Sequence, residues 1–347
     1  MAIVGGFDVH RAQITFDYLD TDAGEVSAGQ IRPATRPVLR NWLQRFEGRD
    51  DVAFAVEGCT GWRFVVEELV RAGVEPHLAE PADTANLRGR KKRAKTDRAD
   101  ARLLRELLAQ RRLPESWAPP SHVLDVRTLG RLYVALMDER RAWQQRIHAQ
   151  LFHQGVASVR ALLTPAGQFA LAGAELSPAG LQMVETAMAA VDALTEQILP
   201  LRAQLQNIGS NQPAVLALTH HYGIGLLCGT IVWAELGDCR RFSNADQAVR
   251  FAGLDVTVWS SDLKRSAGRL ARQGSPELRW ALFEAAKAAA RQTSPDHDYY
   301  DAVRDRLGGK RPALSVARKL VRRCYHTLRE LGDQAWLAPA QPEQLAA

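Results

Sequence analysis

"AIVGGFDVHRAQITFDYL", Ala2 to Leu19, holds the reading of the fold. Two short runs rich in β-branched and aromatic residues, "AIVGGFDV" and "QITFDYL", have the composition of neighbouring strands. A third run, "DVAFAVEG", follows at Asp51–Gly58, and Trp62–Ala72 spaces its apolar residues as a helix does. Strands alternating with helices define an α/β domain over residues 1–115. Inside the first strand an aspartate, Asp8, lies between Phe7 and Val9, where an uncompensated carboxylate is expensive to bury.

The third strand ends in the same way. Val52, Phe54 and Val56 alternate with Ala53, Ala55 and Glu57, so Glu57 belongs to the face opposite the large apolar residues. Two further acids, Asp97 and Asp100 in "KTDRADARLLREL", stand three apart at the mouth of a helix and project from one side of it. Four gathered carboxylates are tolerable if divalent cations neutralise them, and oxygen ligands favour Mg2+ or Mn2+ over zinc. Two such ions about 3.5–4 Å apart would stabilise both the attacking and the leaving oxygen of a phosphoryl transfer. Directly before the pair, "RGRKKRAK" supplies Arg88, Arg90, Lys91, Lys92, Arg93 and Lys95, a charge run suited to a polyanion. Taken singly, each acid has a structural explanation as a helix cap, a strand end or an arginine partner. The conjunction with the basic run is what points to chemistry on nucleic acid.

The chain has 347 residues, 46% of them hydrophobic, enough for two or three packed domains. Nothing resembles a membrane span or a secretory leader, so a soluble protein retained in the cytoplasm is expected. Cys59, Cys228, Cys239 and Cys324 lie far apart without ligand spacing, which argues against a disulfide framework and a zinc site. The formal net charge is +6, modest for the length, so its clustering matters more than its sum. "PESWAPPSH", Pro114–His122, breaks the α/β pattern as a linker would. A helical region follows over 116–212, where Leu181, Val184, Met188, Val191, Leu194, Ile198, Leu201, Leu205 and Ile208 step by three or four, the spacing of a coiled coil or helical hairpin. Its partner is either the preceding segment around Leu129–Leu151 or another chain. Residues 213–335 form a further, mainly α domain, and the tail at 336–347 is expected to be disordered.

Several stretches in order, "GFDVH", "VEGCTGW", "KTDRADARLL", "GIG", "AELGDCRRFSNADQAVRFAGL", "SSDLKRSAGRLARQGSPELRWAL" and "GKRPALSVARKLVRRCY", resemble the IS110/IS1111-type transposases over essentially the whole chain. The resemblance implies an N-terminal RuvC-like domain of the RNase H fold with a DEDD tetrad, a coiled-coil middle, and a C-terminal transposase domain with a catalytic serine. The tetrad carries over to Asp8, Glu57, Asp97 and Asp100. The serine, counted from Gly253 in the family register, falls on Ser261, with Ser260 beside it and Asp262 where the family has glycine. The resemblance further implies DNA as donor and target, a structured bridge RNA that selects sequence by base pairing, and a dimer or tetramer.

A serine hydroxyl is a weak nucleophile until activated. Lys264, Arg265, Arg269, Arg272 and Arg279 follow Ser261 closely, enough positive charge to hold a scissile phosphate. Gly223 and Gly225 of "YGIG" open a helix and suit a backbone-to-phosphate turn. Lys319 and its basic neighbours near the C-terminus form another candidate contact, and Trp259 is a candidate for stacking on a base. The leading expectation is a DNA recombinase working through a covalent phosphoserine. The runner-up is a metal-dependent, structure-specific nuclease similar to a Holliday-junction resolvase, and a third is a non-catalytic nucleic-acid-binding protein.

Overall fold

The computed structural model describes residues 2–87, 96–256, 260–261, 264–265, 268, 270–272 and 274–338. The chain divides into two compact units, Met1–Ala118 and Pro119–Ala347.

The first unit is a five-stranded mixed sheet with helices on both faces. Its elements are β1 (Ile3–Val9), β2 (Ile14–Asp20), β3 (Glu25–Ile31), α1 (Arg36–Leu43), β4 (Val52–Glu57), α2 (Trp62–Arg71), β5 (Glu75–Ala79), α3 (Pro81–Asn86) and α4 (Asp97–Ala109). The strand order is β3-β2-β1-β4-β5. The β1–β2 and β2–β3 pairs are antiparallel, while β1–β4 and β4–β5 are parallel. This arrangement agrees with the RNase H-like domain that the resemblance implies.

Alternation along the strands sorts the side chains into two layers, as the sequence pattern requires. Phe7, Phe16, Val52, Phe54 and Val56 pack with Leu39, Trp42 and Leu43 of α1 and with Val65, Val66 and Leu69 of α2. The opposite face is floored by small residues, Ala53, Ala55 and Ala79 with Val4, and is covered by Leu104 and Leu108 of α4. The adjacent glycines of β1 serve one layer each. A Cβ on Gly5 would lie 2.2 Å from the Phe54 ring, and one on Gly6 would lie 2.2 Å from the carbonyl oxygen of Ala101. Gly6 therefore lets the backbone of α4 rest directly on β1.

Part of the proline-rich stretch expected as a linker belongs to this unit. The amide of Glu80 donates to Pro114 O, that of Ser116 donates to Leu78 O, and Ala79 bridges to Glu115, so residues 114–116 lie along the outer edge of β5.

The second unit is helical. Two 33-residue helices, α5 (Ser121–His153) and α7 (Pro178–Ser210), flank the short α6 (Pro165–Ala172). Ile147 and Leu151, late in α5, pack with Val184 and Ala187, early in α7. Earlier in α5, Arg140 donates to Thr195 further along α7, so the two run antiparallel. The apolar seam of α7 is used inside the chain: Val184, Val191, Ile198, Leu201 and Leu205 are buried, whereas Leu181 at its start is exposed. Of the two partners left open by the spacing, the preceding segment of the same chain is the one that packs on it here.

After α7 come α8 (Pro213–Thr219), α9 (Leu226–Leu236), α10 (Ala245–Phe251), a small antiparallel pair β6 (Ser260–Ser261) and β7 (Lys264–Arg265), α11 (Pro276–Ala286), α12 (His297–Leu307) and α13 (Arg311–Leu331). Trp233 of α9 is fully buried, stacks on Trp336 and donates its indole N–H to Ala335 O. Among the described residues no helix is long and apolar enough to cross a membrane. The expected disorder of the tail concerns residues that, from 339 on, lie outside those described.

Candidate metal centre and nucleic-acid contacts

Asp8 sits near the end of β1 on the face covered by α4 and is only 5% exposed. In the parallel β1–β4 pair Phe7 registers with Val56, which brings Glu57 alongside Asp8 at the same ends of their strands. Burial pushes the Cys59 thiol up, and the neighbouring charges of Glu57 and Asp8 push it further, so both acids border this corner of the sheet.

Asp97 and Asp100 occupy the first turn of α4, where the helix dipole favours negative charge and the Thr96 hydroxyl caps the amide of Ala99. Because α4 rests on Gly6, this turn approaches the end of β1. Burial raises the Asp8 carboxyl above its usual range; the contact with His10 opposes that shift, and the charges of Asp100 and Asp97 add to it. Asp8 Oδ2 lies 3.1 Å from His10 Nε2, which is also 3.5 Å from Asp97 Oδ1. Asp97 additionally accepts a hydrogen bond of 3.0 Å from Gln13, and Arg32 donates to Gln13 in turn.

The carboxylates fit a hard divalent cation, with the His10 imidazole between them. Asp8, His10 and Asp97 each present a ligand atom within 4.8 Å of the others, with Asp100 near enough to raise the Asp8 pKa. The buried carboxyl is one that a cation would hold ionised. His10 and Gln13 went unremarked in the sequence. The signal was there for His10: it directly follows the last residue of β1, where continued alternation returns the second residue after Asp8 to the same side.

The expected nucleic-acid contacts fare differently one by one. Arg88, Arg90, Lys91, Lys92, Arg93, Lys95, Arg269 and Trp259 lie outside the described residues. Ser260 and Ser261 form β6 and Lys264 and Arg265 form β7, with Ser261 registered on Lys264. Val256 and Leu270 form a separate antiparallel bridge. Arg272, exposed and left-handed at φ 55°, donates its amide to Gly253 O. Arg279 instead contacts backbone carbonyls, donating to Gly274 O at 3.0 Å and to Ala252 O. Lys319 is held 2.9 Å from the buried Asp296, to which Arg323 also donates. Arg318 donates to Leu254 O and Arg322 to Asp246, so the basic side chains of α13 hold this unit together. Gly225 is the exposed N-cap of α9 with open space around its Cα. Gly223, at φ 90°, packs so closely on α11 that a Cβ would lie 2.3 Å from Ala285 O.

Comparison with known proteins completes the picture. Residues 5–153 match the DEDD-type IS110 family model described as a transposase, and residues 216–301 match the model of the transposase IS116/IS110/IS902 family. The chain belongs to the IS110 family of transposases. Protein y4rJ of Sinorhizobium fredii, named as a transposase, is 30% identical over 253 residues, which is 64% of this chain and 62% of that relative. The uncharacterized 43.6 kDa protein of insertion element IS110 from Streptomyces coelicolor is 27% identical over 151 residues, 43% of this chain and 37% of its own length. The matches thus span less than two thirds of the curated relatives' lengths. The DEDD match includes Asp8, Glu57, Asp97 and Asp100 within its bounds, and the second match includes Gly223, Gly225, Ser261 and Arg279.

Proposed function

We propose that this protein cuts and rejoins DNA strands as the recombinase of an insertion sequence. The observation that carries the reading is the convergence of Asp8, Asp97 and Asp100, from a buried strand and a helix start, in a member of this family. Asp8, Glu57, Asp97 and Asp100 would hold Mg2+ or Mn2+, and the bound ion would supply neutralisation of the charge that develops on a scissile phosphate. The chain's own residues do the rest. The α4 turn and the β1 end present oxygen ligands in fixed positions, and His10 and Gln13 orient Asp97. The basic residues Arg88–Lys95, together with Lys264, Arg265, Arg269 and Arg272, grip the phosphate backbone, while the Gly225 turn offers amide donors.

Ser261 is the nucleophile in this reading. Its Oγ bonds to phosphorus as the bond to one deoxyribose oxygen breaks; the serine loses its proton and the departing oxygen gains one. Attack by a hydroxyl of another strand reverses the exchange, so no external energy source is needed. A bridge RNA paired to donor and target supplies sequence choice. The working form is a homo-oligomer, dimer or tetramer, with α5 and α7 as the coiled-coil region, acting in the cytoplasm where bacterial DNA lies.

The test is adduct trapping with guide RNA, donor and target DNA. A protein–DNA adduct that forms with Mg2+, vanishes with EDTA or Asp8→Asn, and vanishes in Ser261→Ala is expected. Cleavage with no adduct in any variant would assign the nucleophile to water and make the protein a nuclease; product formed in EDTA would overturn the metal role.

A further inference from the structure

A second buried acid of the first unit takes no part in the proposed chemistry. Asp17, on β2, is 1% exposed. It registers with Gly6 in the β1–β2 ladder and so lies beneath α4. Its Oδ1 is 2.6 Å from Nε of Arg105, itself largely buried, and Arg102 approaches its other oxygen at 3.6 Å.

A buried ion pair contributes little net stability, since desolvation offsets most of its attraction, but it can fix the register of packed elements. Register needs fixing here. The floor under α4 is made of Gly6, Ala53, Ala55 and Ala79, with Val4 the one larger side chain among them, and so offers Leu104 and Leu108 few ridges to lock against. A slip of one helical turn, about 5.4 Å, would preserve most of the apolar contact and, because Asp97 and Asp100 lie about one turn apart, leave only one of them beside Asp8. Moved toward its N-terminal end, the helix would also set Leu108 or Ala109 opposite Asp17 in place of Arg105 and strand that carboxylate without a cation. We infer that Asp17 and Arg105 are positioning residues: their ion pair sets α4 in the one register that assembles the acidic centre. The inference deepens the proposed metal site and rests on that reading for its functional consequence.

The experiment uses the full chain with Asp17→Leu and Arg105→Leu combined, which removes both charges and leaves no partner stranded, and the milder Arg105→Lys. Three quantities are read: melting temperature, Mn2+ affinity from the EPR signal of free Mn2+, and hydrogen–deuterium exchange across α4. The double variant should melt within a few degrees of wild type. Its Mn2+ affinity should fall about tenfold or more, with faster exchange in the first turn of α4, while Arg105→Lys should recover part of both. Wild-type affinity and exchange in the folded double variant would overturn the inference. If that variant does not fold, unchanged affinity and exchange in Arg105→Lys would overturn it instead. If wild type binds no Mn2+, the metal reading fails, yet the exchange of α4 still decides the register.

Discussion

Replacing Gly6 with alanine adds one methyl group at the contact on which the acidic centre depends. The new Cβ would stand 2.2 Å from Ala101 O and 2.8 Å from both the Arg105 amide nitrogen and Leu104 Cβ. Two of these three atoms are backbone, so no side-chain rotation relieves them, and α4 must retreat by roughly 1 Å to restore ordinary contact. Overpacking of this kind costs about 1–3 kcal/mol. With an unfolding entropy of about 2.1 cal/mol/K per residue over a unit ending at Ala118, each kcal/mol lowers the melting temperature by about 4 °C. Calorimetry on the full chain should therefore show a transition falling by about 8 °C for a cost near 2 kcal/mol. Asp97 and Asp100 recede with the helix, so Mn2+ affinity should drop in the fraction still folded. A melting temperature within about 1 °C of wild type, with unchanged Mn2+ binding, would refute the claim that α4 rests on Gly6.

Two further outcomes follow from the same physics. The Arg40 guanidinium bonded to buried Glu68, aided by Arg36 and Arg71 against the cost of burial, holds that carboxyl below its usual range. Its stabilisation is complete above the unfolded value near 4.5 and is lost as pH falls through the lower folded value. Glu68→Gln should cost about 1.5–3 kcal/mol at pH 7 in denaturant titrations, and the gap to wild type should close below pH 4.5; a constant gap down to acid would refute the charge as its source. On α7, Val191→Asp places an unpaired charge where exposure is 0% and should abolish cooperative folding of the second unit, whereas Leu199→Asp, at 58% exposure, should stay within about 0.5 kcal/mol of wild type. Circular dichroism melts separate the two, and a stably folded Val191→Asp would return the seam to an assembly role.

The layering of the first unit was legible in its alternation, because a period of two leaves each strand residue only two faces. Glu57 could thus be assigned to the face opposite Phe54 from the sequence, and the start of α4 from its paired acids, although its cap is Thr96 and not one of them. What stayed hidden depends on long-range approach. The contact of Gly6 with Ala101, the Asp17–Arg105 pair and the Gln13–Asp97 bond each join residues more than eighty apart. Periodicity is equally silent about what basic residues do: Arg318, Lys319, Arg322 and Arg323 have the spacing of a solvated face, yet each finds an acid or a carbonyl within its own unit. The seam of α7 announced a helical partner, but a stripe of apolar residues carries no label saying which chain supplies it.

The strap at Pro114–Ser116 bears on solubility. An outermost strand is a template on which a second chain can add by hydrogen bonding, the first step of aggregation. On β5 that template is taken by the chain's own backbone at Leu78, Ala79 and Glu80. At the far side of the sheet β3 displays Glu25 and Gln30 to solvent on either side of the exposed Val26, so charge and polarity interrupt the apolar run that a sticky edge would need. One border of the sheet is covered at its end by the chain's own backbone and the other is guarded by composition, so every residue that builds the sheet and shields its borders lies within the first 116 of the chain.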